Sequence, residues 1–254
     1  MDVTSSTVFI PGATSGIGLA LALRLRARGS TVIIGGRRTE LLERLRAEHG
    51  FDTVRIDTAD PASIRDAAAE VLAAHPDLDV LVAMAGIMQV EDWHAADGFL
   101  ESAERIVTTN VLGPIRLIAA FVEHLRSRPA ATILTVSSGL AFVPLAATPS
   151  YNASKAAIHQ LSESIRLQLA DTSVRVVELV PPSVQSDLLP GHAENDDAMP
   201  LDAYADEVMG LLESQPDAHE VLVERVRLLR FAEQRGEYDR VVGMLNDRDP
   251  HGKR

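Results

Sequence analysis

A glycine-rich loop between a predicted strand and a predicted helix is the feature that most restricts the fold of this chain. The apolar run Thr7–Ile10 is typical of a buried strand. It leads into Gly12–Gly18, which contains three glycines, and then into a stretch of helical character that begins at Leu19 and ends at Gly29. Glycines in this order let the backbone approach a phosphate, and the helix start offers free N–H groups to an anion. The segment therefore predicts a dinucleotide-binding loop.

Predicted strands and helices alternate along the rest of the chain. The later strand-like runs are Thr31–Gly35, Val54–Asp57, Asp79–Ala83, Ile133–Val136, Val174–Val180 and His219–Val223. Helical patterns separate these runs, and a last amphipathic helix is predicted over 224–246. Such alternation favours a parallel sheet covered by helices on both faces. We therefore predict one α/β domain over residues 1–254, a doubly wound parallel sheet of the Rossmann-like kind.

Composition excludes several classes of protein. The chain has 254 residues and no cysteine, so disulfide frameworks and thiolate sites are excluded. Its formal net charge of −12 argues against nucleic acid and against anionic membrane surfaces as partners. No secretory signal is visible, and no apolar run is expected to reach the length that spans a bilayer. The eight histidines show no metal-ligand spacing, so no metal site is predicted. A cytoplasmic protein is the default expectation.

A second pattern follows the predicted strand that ends at Val136. Ser138 comes just after this strand, and Pro149 stands near the start of a predicted helix. Tyr151 and Lys155 are four residues apart and therefore lie on one face of that helix. Alone, this spacing also occurs on ordinary helices. Beside a strand-end hydroxyl it indicates a proton-transfer site, in which we expect the ammonium to lower the phenol pKa from about 10 towards neutrality.

These residues resemble the active-site signature of the short-chain dehydrogenases/reductases. Tyr151 comes thirteen residues after Ser138, Lys155 follows four residues later, and Asn110 lies in a Thr-Asn-Val-Leu-Gly segment similar to the family's asparagine element. The resemblance implies reversible, ketoreductase-like hydride transfer between a nicotinamide cofactor and a small carbonyl/alcohol substrate. It also implies roles. Tyr151 protonates the carbonyl oxygen and Ser138 hydrogen-bonds to it. Lys155 lowers the pKa of the tyrosine and binds the nicotinamide ribose, and Asn110 supports a proton-relay water.

The glycine loop carries the same resemblance, because its glycines have the Gly-x-x-x-Gly-x-Gly spacing of that family. The likeness extends from Thr7 to about Val223. The cofactor-binding residues that it implies along the chain are Gly12, Thr14, Ser15, Gly16, Ile17, Gly18, Asp57 beside the adenine, Ala85, Gly86, Tyr151, Lys155, Pro181, Val184 and Ser186.

The end of the second predicted strand bears on the choice of cofactor. An acidic residue there would bind the ribose hydroxyls of NAD, but the chain has Gly36 followed by Arg37 and Arg38. A guanidinium suits a 2′-phosphate, so we expect NADP(H) to be favoured over NAD(H), mainly through Arg37. Arg38 is expected to point into solvent. The alternative is that both arginines belong to a solvated helix start.

Three segments of the chain depart from the family pattern. Pro11 stands where threonine is usual, Ala83–Met84 replaces two asparagines, and Pro182 replaces a glycine. We interpret the first two as one linked change, in which a donor and its partner between adjacent strands are lost together. The interpretation predicts altered strand support with cofactor binding retained. Because proline has no backbone N–H, Pro182 can form backbone hydrogen bonds only through its carbonyl.

The remaining expectations concern substrate and assembly. Residues 187–200 are expected to form a variable substrate lid, and Trp93 either flanks the substrate pocket or packs on a surface loop. His159 is expected on a surface or interface. The resemblance implies a homodimer or homotetramer. Two other functions stay open: an epimerase or lyase on the same scaffold, and a non-catalytic protein that senses NADP(H).

Overall fold

Seven parallel strands form one sheet in the computed structural model, which describes residues 2–247. Met1 and residues 248–254, which belong to the predicted domain, lie outside the described residues. The strands occur in the spatial order β3-β2-β1-β4-β5-β6-β7. Their bounds are β1 Thr7–Pro11, β2 Thr31–Gly36, β3 Asp52–Arg55, β4 Val80–Ala83, β5 Ala131–Val136, β6 Val174–Leu179 and β7 Glu220–Val221. This order is that of a doubly wound sheet, in which the chain reverses its direction of progression between β1 and β4.

Helices cover both faces of the sheet. Their bounds are α1 Gly16–Ala27, α2 Thr39–His49, α3 Pro61–Ala74, α4 Leu100–Val107, α5 Gly113–Arg126, α6 Pro149–Gln168, α7 Leu201–Ser214, α8 Arg227–Arg230 and α9 Tyr238–Asp247. A π-helical segment, Thr108–Leu112, joins α4 to α5 without a break. Short 3₁₀ turns lie at Gly139–Ala141 and Glu224–Val226.

Alternate residues of the buried strands serve two separate cores. Ile10 and Leu134 face the core that contains α1 and α7, whereas Phe9 and Ile133 face the core that contains α3 and α5. Apolar residues on both faces explain why the strands appear in the sequence as continuous hydrophobic runs. The predicted fold is therefore confirmed.

The structure differs from the predicted elements at two places. The third strand is Asp52–Arg55, so Asp57 lies in the loop beyond its end. The predicted helix over 224–246 is instead a 3₁₀ turn, the short α8, a turn and α9. Gly236 adopts a φ of +68° in that turn, a conformation that a continuing helix does not allow.

The segment Leu100–Arg126 corrects a further expectation. It is 27 residues long and, by length and composition alone, apolar enough to cross a membrane. No segment of this kind was expected from the sequence. Its residues Leu117, Phe121 and Leu125 are fully buried against the sheet. These three side chains account for the part of its apolar character that packs in the protein core.

Candidate active site

Close backbone packing shapes the glycine loop at the carboxyl ends of β1 and β4. A Cβ atom at Gly12 would lie 3.0 Å from the Ala85 Cα, and one at Gly18 would lie 2.9 Å from the Ala13 Cα. Gly12 also has a φ of +89°, which side chains rarely tolerate. The loop ends at the N-terminus of α1, where free N–H groups favour an anion. This cradle fits the pyrophosphate of a dinucleotide.

One cleft of about 1520 Å³ runs from this loop to the start of α6. Seventeen of the eighteen predicted site residues line it: Gly12, Thr14, Ser15, Gly16, Ile17, Gly18, Arg37, Arg38, Asp57, Ala85, Gly86, Ser138, Tyr151, Lys155, Pro181, Val184 and Ser186. Tertiary structure thus brings together residues that are separated by up to 174 positions, from Gly12 to Ser186.

Tyr151 and Ser138 meet inside this cleft, and both are buried. Burial raises the pKa of the Tyr151 phenol to about 12, and the hydrogen bond with Ser138 opposes that shift. Lys155 lies one turn further along α6, with its Nζ 5.5 Å from the centre of the tyrosine ring. Its ammonium donates a hydrogen bond of 2.8 Å to the Val136 carbonyl. The net shift of the Tyr151 pKa is therefore upward, because desolvation is its largest cause, and the expected lowering towards neutrality is not seen in this arrangement.

Asn110 lies behind the cleft, in the π-helical segment, and is buried. Its Oδ1 accepts a hydrogen bond of 2.8 Å from the Ile87 N–H, and its Nδ2 donates one of 2.9 Å to the Ile87 carbonyl. The Nδ2 also lies 3.1 Å from the Ser154 hydroxyl, between Tyr151 and Lys155 on α6. Asn110 therefore ties the loop after β4 to the helix that carries the tyrosine.

The tip of β2 presents two arginines to the cleft. Any side chain at Gly36 would collide with Thr14, whose Cγ2 would lie 2.5 Å from an added Cβ. A larger residue at position 36, such as an acidic one, would require the Thr14 side chain to move. Among residues 2–247, Arg37 makes no side-chain hydrogen bond or ion pair, so it is available to a ligand. Arg38 is exposed, as expected, but its guanidinium also donates a hydrogen bond of 3.2 Å to the Thr14 hydroxyl of the glycine loop.

The other predicted contacts occupy the rim of the same cleft. The Asp57 carboxylate accepts a hydrogen bond of 3.0 Å from the Ala59 N–H in the loop after β3. Ser186 lies against the glycine loop, with its Cβ 3.6 Å from a Cβ placed on Gly16. The Pro181 carbonyl accepts a hydrogen bond of 2.8 Å from Gly139 and thereby fixes the segment to the loop after β5.

Residues 187–200 form a loop whose two ends lie side by side. Val184 and Met199 form an isolated parallel bridge, and the Met199 N–H donates to the Ser183 carbonyl at 2.9 Å. Leu188 and Leu189 of this segment line the cleft. The loop therefore lies where a substrate lid is expected.

Two departures from the family pattern have a visible structural counterpart. Pairing between β1 and β4 extends only to Phe9 and Leu81, before Pro11. The Met84 sulfur lies 3.1 Å from a Cβ placed on Gly18, so this side chain fills space beside the start of α1. Both observations are consistent with altered strand support around an intact glycine loop.

Glu91 is a residue that the sequence did not single out. It is buried, and its carboxylate accepts hydrogen bonds from the Trp93 indole at 3.1 Å, the Ser102 hydroxyl at 2.6 Å and the Ser150 N–H at 3.1 Å. Ser150 directly precedes Tyr151. Burial raises the pKa of Glu91, but hydrogen bonds from Ser102, Trp93 and Ser150 outweigh it, so the net shift is downward. A long-range cap of this kind leaves no local signal in the sequence.

A second unanticipated cluster lies beneath α6. His159 Nδ1 lies 2.9 and 3.1 Å from the carboxylate oxygens of Glu178, which is fully buried. The expectation of a surface or interface position for His159 is therefore incomplete. With Glu220, these groups lie within 4.8 Å of one another, as metal ligands would. Arg230, however, donates two hydrogen bonds of 2.7 and 2.9 Å to Glu220, so a guanidinium already supplies the positive charge there.

Apolar side chains surround Tyr151 in the cleft. Met88 and Leu189 pack with Tyr151, and Leu140 and Leu145 extend this surface. Further apolar residues come from the C-terminal part of the chain, namely Leu228, Leu229, Met244 and Leu245. Trp93 stacks on Phe99 with ring centres 4.2 Å apart and is 55% exposed. It does not line this cleft, so the surface-loop interpretation is the correct one.

Comparison with known proteins agrees with this geometry. A family model described as short chain dehydrogenase matches residues 6–197. The chain belongs to the short-chain dehydrogenase family. An uncharacterized oxidoreductase of Bacillus subtilis (strain 168), DltE, is 38% identical over 98% of this chain and its own whole length. The NADP-dependent 3-hydroxy acid dehydrogenase YdfG of Salmonella typhi is 34% identical over 68% of this chain and 71% of its own length.

A solved structure extends the likeness to the whole fold. A short chain dehydrogenase from Burkholderia cenocepacia J2315, in complex with NADP, superposes with a TM-score of 0.81 at 25% identity. It covers 96% of this chain and 98% of its own. The present chain is therefore an oxidoreductase of the short-chain dehydrogenase family, and it has that family's doubly wound sheet.

Proposed function

We propose that this protein catalyses NADP(H)-dependent reduction of a carbonyl compound to an alcohol, and the reverse oxidation. The observation that carries the proposal is the meeting of Tyr151 and Ser138 in a cleft whose other end is the glycine loop. When bound, the nicotinamide cofactor supplies or accepts the hydride. The chain itself binds and orients both reactants and moves the proton.

Proton transfer is assigned to Tyr151. Because burial raises its pKa to about 12, the phenol keeps its proton at neutral pH and so has a proton to donate. As negative charge develops on the carbonyl oxygen, the Ser138 hydroxyl hydrogen-bonds to that oxygen and Tyr151 protonates it. Lys155 then stabilises the phenolate that remains, since its ammonium is held on the same face of α6.

Preference for NADP(H) is assigned to the arginines after β2. No carboxylate is present at Gly36 to bind a ribose diol or to repel a phosphate. Arg37 is unpaired within the described part of the chain, and Arg38 reaches across the glycine loop to Thr14. Two guanidinium groups at one edge of the cleft suit a 2′-phosphate. The name of the Salmonella typhi relative, an NADP-dependent dehydrogenase, supports the same choice.

The substrate is assigned to carbonyl compounds with an apolar substituent. Met88, Leu140, Leu145 and Leu189 surround Tyr151 and form an apolar wall. Burying an aliphatic or aromatic group against such a wall contributes about 25 cal/mol per Å² of apolar surface. A ketone or aldehyde whose substituent lies there can direct its oxygen at Tyr151 and Ser138.

A panel of carbonyl compounds tests the proposal. Aliphatic and aromatic ketones and aldehydes are mixed with the enzyme, and loss of NADPH absorbance is recorded with NADH in parallel. We expect turnover with NADPH that improves as the apolar substituent grows. NADPH binding without consumption by any compound would support a sensor instead, and turnover of a substrate without release of oxidised cofactor would support an epimerase or lyase.

A further inference from the structure

Glu178 occupies a position in β6 where an apolar residue is expected. Val174, Val176 and Glu178 alternate along one face of this strand, and the two valines belong to the core beside α3 and α5. The Glu178 side chain is 0% exposed. Burying a carboxylate is costly unless it is paired and hydrogen-bonded. Its partners should therefore reveal why the charge is tolerated here.

Two ion pairs surround this carboxylate. Glu178 and Glu220 stand opposite each other on neighbouring strands, an arrangement that is destabilising for like charges. His159 pairs with Glu178, and Arg230 forms a bidentate pair with Glu220. Phe142 packs beside both partners, since its ring centre is 4.6 Å from that of His159 and 4.5 Å from the Arg230 guanidinium carbon.

The same carboxylate is connected to Lys155 through α6 and the sheet. On α6, Lys155 and His159 are four residues apart and point to the same side, about 6 Å apart along the axis. Lys155 donates to the Val136 carbonyl, and Val136 is paired in the sheet with Leu179, the residue after Glu178. Burial lowers the pKa of the Lys155 ammonium to about 8, and the charge of Glu178 acts in the opposite direction.

We propose that Glu178 is a positioning residue that keeps the Lys155 side chain charged in its buried place, and that His159 sets the strength of this effect. The inference rests on the proposed role of Lys155. When His159 is neutral, the Glu178 charge acts on Lys155 alone. When His159 is protonated, it cancels much of that charge, so the support for the ammonium weakens.

Several other charged and titratable groups lie near this pair. Hydrogen bonding to Glu178 raises the pKa of His159, whereas Arg230 acts against this and Glu220 in its favour. Arg166 on α6 donates to the carbonyls of Val176 and His219, and to the Glu163 carboxylate. The groups that face the pair are therefore Glu163 and Arg166 on α6, His219 and Glu220 at β7, and Arg230 on α8.

A titration of Lys155 by NMR tests the inference without any substrate. Lys155 and Lys253 are the only lysines in the chain, so protein carrying ¹³Cε-lysine gives signals from two residues, and Lys253→Arg assigns them. The full-length protein is titrated from about pH 6 to about pH 11 in steps of roughly half a pH unit. We expect Glu178→Gln to lower the midpoint of Lys155 by about one pH unit or more, since a nearby opposite charge is removed.

A second variant separates charge from structure. His159→Arg keeps an ion pair with Glu178 but makes the cation permanent, so we expect it also to lower the Lys155 midpoint. If the pair served only to hold the structure, this variant would preserve the pair and leave the Lys155 midpoint unchanged. Asp79→Asn is the matched control, because Asp79 is a partly buried carboxylate that hydrogen-bonds to the Thr7 N–H at the opposite end of the sheet. It should leave the midpoint unchanged.

The pH dependence of turnover completes the test. With a carbonyl substrate in hand, the high-pH decline of kcat/KM for reduction should move to lower pH in both variants, in step with the Lys155 midpoint. A midpoint that stays unchanged in folded Glu178→Gln, or in His159→Arg if the former does not fold, overturns the inference. Failure of the proposed function is distinguishable, because it would appear as absence of turnover while the Lys155 midpoint still responds to Glu178.

Discussion

At the scale of single residues, burial decides the behaviour of the two ionisable groups in the site. Desolvation disfavours a charged form, so it raises the pKa of Tyr151 to about 12 and lowers that of Lys155 to about 8. The tyrosine therefore stands as a proton donor, and the lysine needs nearby negative groups to remain charged. The Val136 carbonyl and Glu178 supply them.

Removal of the Tyr151 hydroxyl should nearly abolish turnover and have little effect on cofactor binding. In Tyr151→Phe the glycine loop and Lys155 remain, so we expect kcat/KM to fall about 10²- to 10⁴-fold while the Kd for NADPH changes little. Steady-state kinetics and fluorescence titration of NADPH measure the two quantities. Retention of a substantial share of wild-type activity would exclude Tyr151 as the acid.

Cofactor preference should depend on both arginines after β2. A charge-assisted contact contributes about 1.5–3 kcal/mol, which corresponds to about a ten- to a hundredfold preference for NADPH. Arg37→Ala should collapse this preference, because the Arg37 guanidinium has no other partner among the described residues. Arg38→Ala should reduce it to a smaller extent, since Arg38 is shared with Thr14.

The measurement is kcat/KM with NADPH and with NADH for the wild type and both variants. Arg44→Ala is a suitable control, because this arginine lies on α2 and pairs only weakly with Glu48 at 3.9 Å. A wild type that prefers NADH, or an unchanged ratio in Arg37→Ala, would show that this arginine does not recognise the phosphate.

At the scale of elements, α6 is the part that the site depends on, and its start is held from a distance. Thr148 precedes the helix without making a side-chain cap, and Glu91 takes that role from the loop after β4. The same carboxylate holds Trp93 and Ser102, so it connects α4 to the turn that carries Tyr151.

Loss of the Glu91 cap should therefore affect both stability and catalysis. Hydrogen bonds to a charged group contribute about 1.5–3 kcal/mol, so we expect Glu91→Ala to lower the free energy of unfolding by about 2–3 kcal/mol and to reduce kcat. Glu91→Gln, which keeps an acceptor, and Ser102→Ala, which removes one donor, should each cost less. Urea unfolding measures the order, and an Ala variant as stable as the wild type contradicts the capping role.

The ion pair between α6 and β6 should make stability depend on pH. Hydrogen bonding to Glu178 raises the pKa of His159 in the folded state above its unfolded value of about 6.5. The stabilisation is therefore fully present below about pH 6.5 and is lost as pH rises through the folded-state value. His159→Gln should cost most at low pH and little in alkaline solution, as measured by urea unfolding across this range. In a Glu178→Gln background the same substitution should lose its pH dependence.

At the scale of the whole molecule, α4, the π-helical segment, α5 and α6 present an exposed face of small and apolar side chains. Val107, Leu112 and Ile115 are 45%, 37% and 40% exposed, and Ala153 and Ala157 of α6 are exposed on the side away from Tyr151. These helices are also the ones that hold Asn110 and Tyr151. Small residues let a second helix approach closely, so the face suits another copy of this chain.

Light scattering at micromolar concentration should therefore give a multiple of the 27.4 kDa chain mass. Ala157→Arg should shift the protein towards the single-chain mass, because a long charged side chain would separate the two faces. Gln168→Arg, at the exposed end of the same helix, should leave the mass unchanged. A wild type that scatters as a single chain would contradict homo-oligomer formation.

The sequence alone determined the alternation of strands and helices, the glycine loop and the positions of Ser138, Tyr151 and Lys155. These features are local, since hydrophobic period, glycine spacing and a four-residue interval act within one element. The ends of β3 and the division of the predicted 224–246 helix could not be predicted from the sequence, because tertiary packing sets where such elements stop.

Only the tertiary structure decided the electrostatic character of the site. The pKa of Tyr151 depends on how completely the cleft buries it, and the charge of Lys155 depends on a carboxylate that lies 23 residues away in the sequence, in another element. Glu91 caps α6 from 59 residues away. Desolvation and long-range hydrogen bonds arise from distances between elements, and those distances exist only after the sheet and its helices have packed together.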